Sequence, residues 1–183
     1  MRGLLFVCLV TSVLVILCGC KQHRAATVNR DACSLLSKDE VASVQATPVN
    51  DTKSSERSDD LFRVSQCFYT TAESSKSVNL ALVQRDPGKP STRSPKDFWK
   101  KKFDPYEDEE PKTMTGDEKE QGSPAKKIVR LGDDAYWVPN RFGGILYVLK
   151  GDAFISIGLG GPDDQDTKLK KSKALAEKAL QRL

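Results

Sequence analysis

Helix signals in this chain fall between runs of strand signals, not between single strands, and that order limits the fold more than any other feature. A parallel sheet needs a long crossover after each strand, usually a helix, whereas antiparallel neighbours need only a tight turn. The stretches "FRVSQCFYTTA" and "SVNLALVQR" alternate with the period of a strand, Val78, Leu80 and Leu82 falling on one face, and "ESSK" between them reads as a turn. The last third holds three more β-rich runs, "DAYWVP", "GILYVLKG" and "AFISIGLGG", the latter two joined by a tight turn over "KGDA". In the final run Ile155, Ile157 and Leu159 alternate with Phe154, Ser156 and Gly158, which leaves one face to bury. The expected fold is therefore α+β, a largely antiparallel sheet of about five strands with helices packed on it.

The helices are announced by their caps. In "DACSLLSKDEVASVQA", Ser37 and Glu40 stand at capping-box spacing and Leu36 and Val41 at staple spacing, which predicts a helix over 38–44 with Val41 and Val44 turned inward. In "STRSPKDFWKKKFDPY", Ser94 is the cap, Pro95 the first helical residue, and Asp97 sits near the positive end of the helix dipole. Trp99, Phe103 and Tyr106 share a face there, and Pro105 ends the helix. The closing "DTKLKKSKALAEKALQRL" is helical, with Leu169, Ala176, Leu180 and Leu183 on one side and lysines on the other. Between these elements "TPVNDTKSSERSDD" reads as an exposed connection, and residues from about 107 to 127, which hardly include an apolar side chain, as a mobile loop. The order of helix, two strands, helix, three strands and helix suggests a degenerate duplication without sequence identity to support it.

Ahead of this domain, Met1 and Arg2 lead into an apolar run over residues 3–17 and then into "LCGC", the three-part pattern of an export signal. Leu17, Gly19 and Cys20 in register resemble the lipobox of bacterial lipoproteins. In that family the cysteine thiol receives a diacylglyceryl group, the peptide bond before it is cut, and the new amino terminus is usually acylated. The resemblance implies a signal peptide over 1–19, with Cys18 lost along with it, and lipidation at Cys20. Residues 20–31 then form a polar tether, and 32–183 a single domain. An uncleaved membrane-spanning helix wants about 20 apolar residues. A metal site would need further Cys or His at ligand spacing. At about 0.8 kcal/mol per buried methylene, two or three acyl chains hold a protein stably on a membrane. Lys21 stands where many Gram-negative lipoproteins retained at the inner membrane carry Asp, so the resemblance favours the outer membrane, with the domain facing the periplasm.

Once the signal and the lipid site are set aside, Cys33 and Cys67 remain of the five cysteines. In an oxidising envelope compartment two isolated cysteines are most simply one disulfide. The alternative, a redox or nucleophilic thiol, has no C-x-x-C motif, and the single histidine, His23, lies in the tether. The same inventory removes thiol–imidazole dyads, Ser-His-Asp triads and His-ligated zinc from the folded domain. With 29 Lys and Arg against 25 Asp and Glu, the chain lacks the clustered basic face that nucleic acid requires. "CSLLSKDEV", the later "QCFY", "LGDDAYW" and the closing "ALAEKAL" together resemble a set of bacterial envelope lipoproteins without an established activity, whose domains open with Cys-x-Leu-Leu-Ser/Thr-x-x-Glu-Val. That resemblance implies an α+β fold and a bridge between Cys33 and Cys67, and it implies no catalytic residue or cofactor.

Four stretches offer chemistry. "GLGGPDDQD" places glycines before a helix amino terminus, as phosphate cradles do, but Asp163, Asp164 and Asp166 put negative charge where a phosphate would sit and serve better as helix caps. "DFWKKKF" sets three lysines beside Phe98, Trp99 and Phe103, either a surface for anionic headgroups or glycans or an amphipathic helix with its aromatics in the core. "EDEEP" offers Glu107, Asp108, Glu109 and Glu110, hard oxygens that a consecutive run cannot converge on one calcium, so no metal site is expected. "GDDAYWVPNRFGG" brings together Asp133, Asp134, Tyr136, Trp137, Asn140, Arg141 and Phe142, a polar and aromatic mixture that suits contact with a small ligand, a glycan or a protein. Alternation puts either Tyr136 or Trp137 in the core.

These features together lead to a membrane-anchored envelope lipoprotein that acts as a non-enzymatic binding or accessory module. Its expected partners are the membrane and an envelope protein or small ligand, not nucleic acid. One alternative is a carboxylate-dependent hydrolase of an envelope polymer, for which Asp133 and Asp134 are the acids to name. Another is a structural component of an envelope complex, which an exposed contiguous apolar patch would mark.

Overall fold

The structure is a computed structural model and describes residues 30–58, 62–88, 93–104 and 124–183. Within them seven antiparallel strands form one sheet: β1 (Val49–Ser58), β2 (Phe62–Thr71), β3 (Val78–Arg85), β4 (Lys126–Lys127), β5 (Asp134–Val138), β6 (Ile145–Lys150) and β7 (Ala153–Leu159). Their order is β1-β2-β3-β7-β6-β5-β4, so two meanders meet where β3 lies against β7, with Val78 opposite Leu159 and Leu82 opposite Ile155.

The sheet has two strands more than the alternation pattern predicts. β1 occupies the polar stretch expected to be a connection, and it pairs with β2 from Asp51 opposite Thr70 to Ser58 opposite Arg63. Almost every residue of β1 is exposed, so backbone pairing and not side-chain burial makes it a strand. β4 takes the end of the stretch expected to be a mobile loop, Lys126 and Lys127 pairing with Trp137 and Tyr136. The rest of that expected loop, with the acidic run from Glu107 to Glu110, lies outside the described residues, as do Cys20, the signal region, Pro105 and Tyr106.

Among the described residues three α-helices, α1 (Lys38–Gln45), α2 (Pro95–Phe103) and α3 (Gln165–Leu180), cover the sheet. α1 and α3 lie on one face, where Val41, Leu175, Ala176 and Ala179 pack with Leu80, Leu82, Leu146, Val148, Ile155 and Ile157. α2 lies on the other, Trp99 and Phe103 packing with Tyr136, Leu149 and Phe154. The caps follow the sequence pattern. Ser37 Oγ accepts from Glu40 N at 3.2 Å while Glu40 accepts from Ser37 N at 2.9 Å, and Ser94 and Asp97 repeat the box on α2. On α3 the cap is Asp164, which accepts from Thr167 N at 2.8 Å. The lysines of α3 are not all on its wet side, however: Lys168 is buried, its side chain drawn under a neighbouring turn.

Cys33, in a short 3-10 turn at Ala32–Ser34, is bonded to Cys67 in β2, with sulfurs 2.00 Å apart. The bond fixes the segment that leads into α1 against the sheet. Closing a loop with a sequence separation of 34 restricts the unfolded chain by about 3–4 kcal/mol.

Candidate functional site

The seven residues expected to form one contact surface separate into three groups. Asp133 and Asp134 each bond a neighbouring element. Asp133 Oδ2 accepts from Gly151 N at 2.6 Å and so holds the β6–β7 turn. Asp134 Oδ2 accepts from Trp99 Nε1 at 2.9 Å and its Oδ1 accepts from the Ala135 amide at 3.0 Å, which fastens α2 to β5. Lys127 Nζ stands 3.7 Å from the same carboxylate.

Tyr136 and Trp137 are both core, one on each side of the sheet. Tyr136 stacks on Phe103 with ring centroids 4.5 Å apart, under α2, and Trp137 packs in the α1/α3 core. Alternation predicts one buried and one exposed only when a single face is covered; here helices cover both. Gly144 makes room for the indole, since a Cβ there would overlap the Trp137 ring and its φ of 152° disfavours any side chain.

Asn140, Arg141 and Phe142 do come together, in the turn between β5 and β6. Asn140 Oδ1 accepts from Phe142 N at 2.8 Å and its carbonyl accepts from Gly143 N at 2.9 Å, an Asx-type turn. The turn presents Phe142 to solvent, 67% exposed, with the Arg141 guanidinium 4.7 Å from its ring centroid. Behind it Lys168 Nζ donates to the Phe142 carbonyl at 2.7 Å, with the lysine stem against Gly143. This turn, the 160–164 loop and Ser75 border a cleft of about 620 Å³.

The acids of that loop are already occupied. Asp163 pairs with Lys171 at 2.6 Å, and Asp164 caps α3, its carboxyl held below the usual range chiefly by the Thr167 amide. Among the described residues Arg141 and Lys168 have no carboxylate partner, which leaves the cleft with two cations for an anionic or polar group. Lys168 is the residue that counting lysines as solvated misses. Its spacing from Ser172, Leu175, Ala176 and Ala179 places it on the buried stripe of α3, and that periodicity was the available signal.

A second concavity, about 700 Å³, lies beside α2 and is lined by Phe62, Arg93, Asp97, Phe98, Lys101 and Lys102. Trp99 and Phe103 are core, as an amphipathic helix requires, while Phe98 is half-exposed, stacked on Phe154 at 5.9 Å and edge-on to Phe62 at 5.8 Å. Among the described residues no cluster of His, Cys, Asp and Glu is arranged to hold a metal ion, and no helix is long and apolar enough to cross a membrane.

In comparisons with known proteins, no family model, no curated protein and no solved structure matches the chain.

Proposed function

We propose that the chain is a bacterial envelope lipoprotein, lipidated at Cys20 and facing the periplasm, that works without catalysis as a binding or accessory module. The observation that carries this reading is the cleft at the β5–β6 turn. There a hydrogen-bonded Asx-type turn displays Asn140, Arg141 and Phe142, backed by the buried Lys168 and with the neighbouring acids bonded elsewhere. Such a surface suits a ligand or partner side chain that brings an anionic group to Arg141 and an apolar one to Phe142. The hydrolase alternative gains nothing from the geometry, because Asp133 and Asp134 serve the β6–β7 turn and the α2 contact instead of facing one another across a cleft.

Two measurements test the proposal. Intact-mass analysis of the detergent-extracted membrane fraction, for the natural chain and for Cys20→Ala, reads the anchor: a mature mass that begins at Cys20 with added acyl chains supports it, and an unprocessed chain refutes it. A photo-cross-linking amino acid at position 142, illuminated in intact cells, reads the surface. A discrete adduct that disappears on Arg141→Ala supports the cleft, and absence of any adduct overturns its role.

A further inference from the structure

The ten-residue strand β1 is one edge of the sheet, and its outer side pairs with no described strand, while the opposite edge, β4, has only two residues. An edge presents N–H and C=O groups that a further strand can complete. Beyond a bulge between Val49 and Asp51, the register with β2 is unbroken. Ser54 lies opposite Cys67, so Thr52, Ser54 and Glu56 share the α1/α3 face, and Asp51, Lys53, Ser55 and Arg57 share the α2 face. Among the described residues Asp51, Lys53 and Arg57 make no ion pair.

We propose that β1 pairs antiparallel with β1 of a second copy of this chain, about a two-fold axis that passes through Ser54 perpendicular to the sheet. Such an axis keeps each face of the sheet on its own side, so only residues of one face oppose one another. Centred on Ser54, the pairing uses residues 51–57 of the regular stretch 51–58. It sets Asp51 opposite Arg57 of the second copy at both ends, Thr52 opposite Glu56, and Lys53 opposite Ser55. A centre on Lys53 sets that lysine against itself, and a centre on Ser55 sets Lys53 against Arg57. A centre on Thr52 runs into the bulge and leaves the end of the strand unpaired. Opposite charges across neighbouring strands stabilise and like charges destabilise, so charge disfavours the Lys53 and Ser55 centres and pairing length the Thr52 centre, which leaves the Ser54 register. Lysine on an edge strand usually discourages pairing; in this register Lys53 meets a serine. The axis also leaves Arg30, which bonds Gln84 on the α1/α3 face, on one side of the joined sheet in both copies, so two chains tethered to one membrane can pair. The pairing itself does not rest on the anchor.

The test is the mass in solution, by sedimentation equilibrium of the full chain in detergent, at low and high salt. The forms compared are the natural chain, Asp51→Arg, Arg57→Asp and the double exchange Asp51→Arg with Arg57→Asp. The expected result is a dimer that high salt weakens, a dissociation constant raised at least about tenfold in each single variant, and recovery in the double exchange. Near-UV circular dichroism on every variant separates loss of pairing from loss of fold. A natural chain that stays monomeric at about 0.1 mM, single variants that pair as well as the natural chain, or a double exchange that behaves like the singles would each overturn the proposal.

Discussion

Glu40 and Arg182, 142 positions apart, form a two-pronged ion pair, each guanidinium nitrogen 2.9 Å from its own carboxylate oxygen. The same carboxylate caps α1 through the Ser37 amide, and the same guanidinium reaches the Leu35 carbonyl at 2.8 Å. One acid thus ties the start of the domain to its last helix, and it does so only while ionised.

That requirement gives an acid limb to stability. Arg182, aided by the Ser37 amide, holds the Glu40 carboxyl at about 2, down from 4.5. Because the folded value is the lower one, the contribution is complete above about pH 5 and is lost as pH falls towards about 2. Glu40→Gln should cost about 1–2 kcal/mol at neutral pH, discounted for the exposure of Arg182, and the difference should vanish near pH 2. Urea unfolding of both forms at pH 7 and pH 3 reads this directly.

Tyr69 gives the alkaline counterpart. Its hydroxyl donates to the Leu36 carbonyl at 2.9 Å inside the core, and burial pushes the phenol up to about 12. The unfolded tyrosine ionises first, so stability is flat below pH 10 and falls between 10 and about 12. Tyr69→Phe should lose about 1–3 kcal/mol at neutral pH by leaving the Leu36 carbonyl unpaired, and should lose part of that alkaline slope. Denaturation at pH 7 and pH 10.5 checks both parts.

Reducing the bond between Cys33 and Cys67, or replacing both by serine, should lower stability by about 3–4 kcal/mol. The loss should appear in the denaturant midpoint while the slope changes only if the unfolded chain expands. Unfolding with and without reductant is the measurement, and equal midpoints would show that the bond contributes nothing.

Asp134→Ala should leave the Trp99 indole N–H without its acceptor in a nearly closed site and free α2 from β5, at a cost of about 1–3 kcal/mol. Asp134→Asn keeps a carbonyl oxygen in the same place and should recover most of it. Near-UV circular dichroism and tryptophan emission follow the environment of Trp99 during both experiments.

The elements legible in the sequence are those whose side chains report burial or capping. Ser37 with Glu40, Ser94 with Asp97, and the alternation of Ile155, Ile157 and Leu159 locate α1, α2 and β7 without further help. β1 escapes because an edge strand with water on both faces needs no apolar pattern; what makes it a strand is written in β2, across the ladder. At the candidate site the sequence groups Asn140, Arg141 and Phe142 with four residues that the fold places elsewhere, and only the stretch beside the Gly pair forms the exposed turn. The fate of Asp134 depended on where Trp99 would land, a contact over 35 positions that no local spacing encodes.

The disulfide also sets how the domain bears a pull. Arg30 is bonded through its backbone to Gln84 in β3, Ala32 N to Ser65 in β2 at 2.8 Å, and Cys33 covalently to Cys67. Tension applied along the chain ahead of residue 30 therefore passes into inner strands of the sheet within four residues and ends on a covalent crosslink. α1 begins after that crosslink, so tension from ahead of residue 30 meets the sheet before it can reach α1.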